Sequence, residues 1–181
     1  MGNELALRIY RFLLDALSTN LRSVQPVELR FSPDDAGHEV EPWMNKGWSK
    51  HPQGSGDLGE KLSAAFSDHF HRGADRVVIV GSDSPEMRAD DIENAWNHLA
   101  AFDLVLGPTH DGGYWLIGLR QPQTALFDGI SWSTNKVLKQ TVARASKCGL
   151  TVHCLRKLDD VDTESDWRSF LRRNPRAHPP A

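Results

Sequence analysis

Three acidic stretches stand where an α/β sheet would deliver them to a ligand. The first is Gly81-Ser82-Asp83-Ser84-Pro85, directly after the β-branched run Arg76 to Val80. A run without alternation suits a strand buried on both faces, and such strands carry ligands beyond their carboxyl ends. Pro85 cannot extend a ladder and fixes the chain as it leaves. Asp83 or Ser84 capping the next helix is the competing structural role.

The second stretch is Asp111-Gly112-Gly113, after the apolar Leu104 to Leu106 and before Tyr114 to Leu119. Alone it reads as a hairpin turn, because Asp-Gly is a strong turn dipeptide. Beside a second acid, the two glycines also permit close approach of a phosphate or sugar. The third stretch, Asp159-Asp160-Val161-Asp162-Thr163, follows the last strand pattern and opens the last helix. Asp162 or Thr163 can cap that helix, but capping does not require Asp160. Gathered in one crevice, the three acidic strand ends would hold Mg2+ or Mn2+, since hard cations take oxygen ligands and bridge diphosphate oxygens.

Two further segments border this chemistry. Gln53 to Glu60 is a glycine-rich approach to a helix, containing Gly56, Asp57 and Gly59. Asp57 with Glu60 has capping-box spacing, and a contact to base or sugar is the alternative. No Walker lysine or G-x-G-x-x-G is present, so neither a P-loop nor a Rossmann fingerprint applies. In Ile130 to Thr134, Ser133 or Thr134 suits an N-cap, and Trp132 suits either core or the wall of an acceptor pocket.

The elements that must position these residues alternate in type. Helical spacing covers Glu4 to Leu21, Asp57 to Phe70, Ala89 to Leu99, Thr134 to Lys147 and Thr163 to Arg173. Strand patterning covers Val27 to Phe31, Arg76 to Val80, Leu104 to Leu106, Tyr114 to Leu119 and Thr151 to Leu155. Residues 32–56 read as loop with a short helix or strand inside. The pattern predicts one α/β domain over residues 1–181, a three-layer sandwich around a mostly parallel sheet.

Bulk properties narrow the partners. A net charge of −3 without a basic face gives no case for a nucleic-acid polymer. Two cysteines, Cys148 and Cys154, are too few for a disulfide framework and are expected reduced and buried. No run is long enough for a membrane span and no signal-peptide pattern opens the chain, so the expected location is cytoplasmic.

At these residues the chain resembles the bacterial radical-SAM/selenodomain-associated transferases, a domain-of-unknown-function family with the nucleotide-diphospho-sugar transferase (GT-A, Rossmann-like) fold. The matching stretches are Gln53 with Gly56 to Glu60, Gly81 to Pro85, Leu106-Gly107-Pro108, Asp111 to Leu119, Ile130 to Thr134, and Asp160 to Thr163. It is more distantly similar to guanylyltransferases that build molybdopterin and phospholactate cofactors. The resemblance implies metal-dependent glycosyl or nucleotidyl transfer from a nucleotide sugar or NTP to an unknown acceptor. It implies that Asp83 holds the metal on the diphosphate, with Asp160 or Asp162 as second carboxylate. Asp57 and Gly59 would lie near the nucleoside, together with Gly56 and Ser82. Asp111, Gly112, Gly113 and Tyr114 would lie near sugar or acceptor, with Trp132, Ser133 and Thr134 beside them.

Family members begin with a strand and a phosphate loop of the type Lys-x-Pro-x-x-Gly-x-x-Lys-Thr-Arg-Leu. This chain opens at Met1-Gly2-Asn3 on the following helix, so the expected sheet lacks that N-terminal strand. The alternative expectation is therefore a catalytically degenerate member acting as scaffold, partner or nucleotide-binding regulator, with a homodimer covering the gap.

Overall fold

The computed structural model describes residues 2–177; Met1 and residues 178–181 of the expected domain lie outside the described residues. Among the described residues, five α-helices and six strands follow in the order α1 (Asn3–Asn20), β1 (Glu28–Phe31), β2 (Ser49–Pro52), α2 (Leu58–His71), β3 (Val77–Val80), α3 (Ala89–His98), β4 (Leu104–Pro108), β5 (Tyr114–Leu119), α4 (Val137–Lys147), β6 (Val152–Cys154) and α5 (Glu164–Arg173). Residues 32–56, expected as loop with a short element, hold two 3-10 turns and β2.

The central sheet has the order β3-β5-β4-β6, and β1 and β2 pair separately as a parallel ribbon. Its layers follow from β4, where Leu104 and Leu106 enter one apolar cluster and Val105 the other. Alternate side chains of a strand leave on opposite faces, so a strand buried on both must be apolar throughout. One face packs Leu62 and Phe66 of α2 and Ala145 of α4; the other packs Leu21, Met87, Ala95 of α3 and Leu99 just past its end. Ile9 and Leu13 of α1 close a third cluster against Trp167 and Phe170 of α5. The three-layer expectation holds.

The sheet is mostly but not purely parallel: β3, β4 and β6 share one direction. Among the described residues, β1–β2 and β4–β6 are parallel, but β5 runs antiparallel to both β3 and β4. The cause is local: the turn at Asp111-Gly112-Gly113 returns the chain directly, and a connection that short can only make an antiparallel pair. Gly81 N–H bonds to Trp115 O, and this register turns the backbone groups of Val78 and Val80 away from β5. No strand pairs on that side among the described residues.

Smaller differences have equally local causes. Helix α4 begins at Val137 rather than Thr134, because residues 134–136 form a turn, closed by the Val137 amide on Thr134 O at 3.3 Å, that follows Ser133 at a positive φ of 58°. Thr163, not Asp162, caps α5, its side chain accepting from the Asp166 amide while Asp166 bonds back. Cys148 and Cys154 are free but exposed, not buried. Cys148 stands past the last turn of α4, and Cys154 ends β6, which pairs on one side only. No helix among the described residues is long and apolar enough to cross a membrane.

Candidate active site

The acids gather at one end of the central sheet, each brought by a different connection. Asp83 follows β3, and its carbonyl accepts the Val161 amide at 3.0 Å. Asp111 sits in the β4–β5 turn, where its Oδ1 accepts the Gly113 amide at 2.8 Å and the Thr109 hydroxyl. Asp160 and Asp162 flank Val161, whose side chain is 9% exposed in the core. Asp160 is partly buried and Asp162 exposed, while Val161 packs into the core.

One carboxylate oxygen from each of Asp111, Asp160 and Asp162 lies within 4.8 Å of the others. Asp83 is outside that trio but close enough to feel it. Burial pushes the Asp83 carboxyl up, and the charges of Asp162 and Asp111 add to the effect. Asp160 is pushed up to about 6, by burial first and then by Asp111, Asp162 and Asp83. Asp162 is raised by burial, Asp111 and Asp166. No cation contributes to any of these shifts. Mutual repulsion without a counter-charge is the state that a bound cation relieves. An all-carboxylate donor set, with Asp111 and Asp162 exposed and Asp160 partly buried, fits Mg2+ or Mn2+, which take oxygen ligands.

The turn carrying Asp111 is locked from beneath. Gly112 has a φ of +99°, and a Cβ there would collide with the Asn135 carbonyl. Its own carbonyl accepts the Leu138 amide at 2.9 Å, which joins the turn to the start of α4. Gly113 is tight against Thr109 and Asp111.

The remaining expected residues form a neighbouring surface whose local roles are plainer. Asp57 caps α2, accepting the Glu60 amide at 2.9 Å while Glu60 accepts the Asp57 amide at 2.8 Å. Gly56 has a φ of +108° beside Glu60. A Cβ on Gly59 would lie 2.6 Å from Trp132 Nε1, so the indole rests on the first turn of α2. Trp132 packs against the core, its ring 6.5 Å from that of Phe127. Thr134 donates to Ser131 O at 2.7 Å, while Ser133 is exposed. Ser82 is half-buried beside Asp83. The Tyr114 hydroxyl is buried beside Thr141, and burial raises it above the usual phenol range.

Sequence reasoning missed the residues behind the acids. Arg156 pairs with Asp91, and its carbonyl accepts Trp115 Nε1 at 3.2 Å. Asp91 and Arg156 are 65 positions apart, a separation that no local pattern reveals. Another group, Glu28, Asp68 and His69, has ligand-like spacing. It is already filled by charge: Arg30 meets Glu28 at 2.8 Å and Asp68 at 2.6 Å, and Arg72 meets them at 3.1 and 2.8 Å. That network fastens β1 to α2 and leaves no place for a cation.

The layering, the strand-end acids and the β4–β5 hairpin define a nucleotide-diphospho-sugar transferase-type α/β fold, and comparison with solved structures agrees. The chain is 32% identical to a Desulfovibrio desulfuricans G20 protein described as a "putative nucleotide-diphospho-sugar transferase". That match has a TM-score of 0.88 and covers 96% of this chain and 78% of the other. The same fold is shared with CMP:2-keto-3-deoxy-manno-octonic acid synthetase in complex with CTP, at TM-score 0.61 and 10% identity, over 91% of this chain and 88% of that one. It is shared too with HddC from Yersinia pseudotuberculosis complexed with GMP-PN, at TM-score 0.56 and 11% identity, over 90% and 85%. The chain belongs to the DUF2064 family of uncharacterized proteins conserved in bacteria, whose profile matches residues 16–134. No curated protein sequence matches it.

Proposed function

We propose that the protein catalyses metal-dependent transfer of a nucleotidyl or glycosyl group from an NTP or nucleotide-diphosphate sugar to an acceptor. The observation that carries this reading is the convergence of Asp111, Asp160 and Asp162, with Asp83 beside them and, among the described residues, no cation lowering the raised carboxyls of Asp83, Asp160 and Asp162. When bound, Mg2+ or Mn2+ supplies charge that neutralises phosphate oxygens in the transferred or leaving group. Asp160 and Asp162 hold the ion from one loop, Asp111 from the hairpin turn, and Asp83 orients from the end of β3. The surface of Gly56, Asp57, Gly59 and Trp132 would border the nucleoside. Gly112 and Gly113 allow close approach of the sugar or acceptor.

Similar structures support the class: the Desulfovibrio protein described as a "putative nucleotide-diphospho-sugar transferase", CMP:2-keto-3-deoxy-manno-octonic acid synthetase with CTP, and HddC with GMP-PN. The unpaired edge of β3 favours a second reading, a non-catalytic scaffold or homodimer that keeps the fold. Calorimetric titration with CTP, GTP and UDP- and GDP-sugars, with and without Mn2+, separates the two. Metal-dependent binding abolished in Asp160→Asn supports transfer; binding indifferent to metal and to that change rejects it.

A further inference from the structure

The loops that carry the acids repel one another, so they need a tether that does not cancel the charge they present. Among the described residues, backbone bonds join them directly, Val161 N–H to Asp83 O at 3.0 Å and Leu158 N–H to Pro108 O at 3.1 Å, and Arg173 reaches Asp159 at 2.7 Å and Glu86 at 3.7 Å. Arg156, four positions before Asp160, makes the wider connection. Its Nε donates to Asp91 Oδ1 and a terminal nitrogen to Asp91 Oδ2, each at 2.7 Å. The same terminal nitrogen donates to the Glu86 carbonyl at 3.0 Å, three residues past Asp83. Asp91 also caps α3 by accepting the Arg88 amide at 2.9 Å, and its side chain is only 8% exposed. With its own carbonyl held by Trp115, Arg156 thus ties the loop after β6 to the loop after β3, to α3 and to β5.

The charge of Arg156 is taken up by Asp91. Burial works against the Asp91 carboxylate, yet the hydrogen bonds and charge of Arg156 and the Arg88 amide hold it below the usual range. Arg156 figures in none of the shifts of Asp83, Asp160 or Asp162. A cation facing the acids would also draw the loops together, but it would satisfy them and weaken their hold on a metal ion. The two-pronged guanidinium fixes both distance and angle, which a single ammonium contact does not.

We propose that Arg156 is a positioning residue: through Asp91 and the Glu86 carbonyl it holds the Asp160–Asp162 loop in register with Asp83 and so sets the affinity of the acidic cluster for a divalent cation. The consequence for metal rests on the function proposed above; the positioning itself does not. The test uses the full chain and two readouts, hydrogen exchange of the Val161 amide and Mn2+ binding by calorimetry. In Arg156→Met, Val161 exchange rises about tenfold or more while β4 and β5 amides keep their protection. Mn2+ binds about tenfold more weakly, the usual scale for losing support behind a ligand.

Because Arg156→Met leaves Asp91 buried and unpaired, the double variant Asp91→Leu/Arg156→Met removes the pair as a unit and keeps the fold testable. It shows the same two effects at a melting temperature near the parent's. Arg156→Lys recovers part of both. Wild-type Val161 exchange in the double variant overturns the proposal. If the parent protein binds no Mn2+, the metal reading falls, and the Val161 amide alone decides whether Arg156 positions the loop.

Discussion

Asp83 and Val161 meet through one hydrogen bond, carbonyl to amide at 3.0 Å, and that bond places a strand-end acid beside the peptide that separates two others. Backbone contact here costs no charge, so the acids stay ionisable and crowded. Several outcomes follow from that crowding.

Replacing Asp160 should stabilise the protein at neutral pH. Its folded value, about 6, lies above the ordinary carboxylate value. The group therefore contributes stability that is complete below about pH 4 and is lost as pH rises through 6. Asp160→Asn removes the part that is lost. Because the side chain is partly solvated, the gain at pH 7.5 is expected to be about 1 kcal/mol, or roughly 2–4 °C in melting temperature. Thermal melts from pH 4 to 8 check it: the gap between variant and parent should close at the acid end, and a gap independent of pH would refute the assignment.

Divalent metal should do the same reversibly. Mn2+ at about a hundred times its dissociation constant stabilises by about 2.7 kcal/mol, provided the unfolded chain does not bind it. The effect should be large at pH 8, shrink at pH 5 as Asp160 protonates, and vanish with EDTA. An unchanged melting temperature at pH 8 would count against a metal site.

Asp103 provides the opposite pH sign at the far end of β4. It accepts the Thr151 amide at 2.9 Å, the Thr151 hydroxyl at 2.6 Å and Arg120 Nε at 2.7 Å. The Thr151 hydrogen bonds lead in holding its carboxyl below the usual range. Its contribution is present above about pH 4 and lost as pH falls through the lowered folded value. Asp103→Ala strands the Thr151 groups and should cost about 2–3 kcal/mol in urea unfolding at pH 7. The deficit should narrow in acid.

Two glycines with positive φ should respond differently to alanine. Gly54 has φ +78° with nothing within 4 Å of an added Cβ, so Gly54→Ala carries only the backbone penalty, about 1 kcal/mol. Gly112 adds a collision with the Asn135 carbonyl. Gly112→Ala should cost about 2–3 kcal/mol or more and weaken Mn2+ binding, since Asp111 rides on that turn. Equal losses at the two positions would show that the turn is not locked against α4.

Much of this was readable from residue order, because strand-end acids and capping boxes are local. The β-branched run before Asp83, the Asp57/Glu60 spacing and the Asp-Gly-Gly turn each state their conformation within a few residues. The direction of β5 was readable too, had the turn been weighed above the expectation of parallel strands. Other features are decided at long range. Whether Asp111 stands with Asp160 and Asp162 or with Asp83 depends on how three connections converge. Cys148 and Cys154 look apolar enough to bury, yet they fall on a helix end and a one-sided strand. The Arg156–Asp91 pair has no local signature at all.

The hairpin has a bearing on the order of assembly. Pro108 and Tyr114 are paired across a turn that β4 and β5 can close by themselves, on a timescale of microseconds. The partner segment of β4 at Val152 to Cys154 lies beyond α4 and must return across a far longer loop, with its entropic cost. Asp111 is therefore expected in place early, and Asp160 and Asp162 only when β6 docks. The carboxylates would be brought into conflict at the last step, after enough apolar surface is buried to hold them there. A divalent ion present during refolding should then accelerate the late phase and leave the early one unchanged.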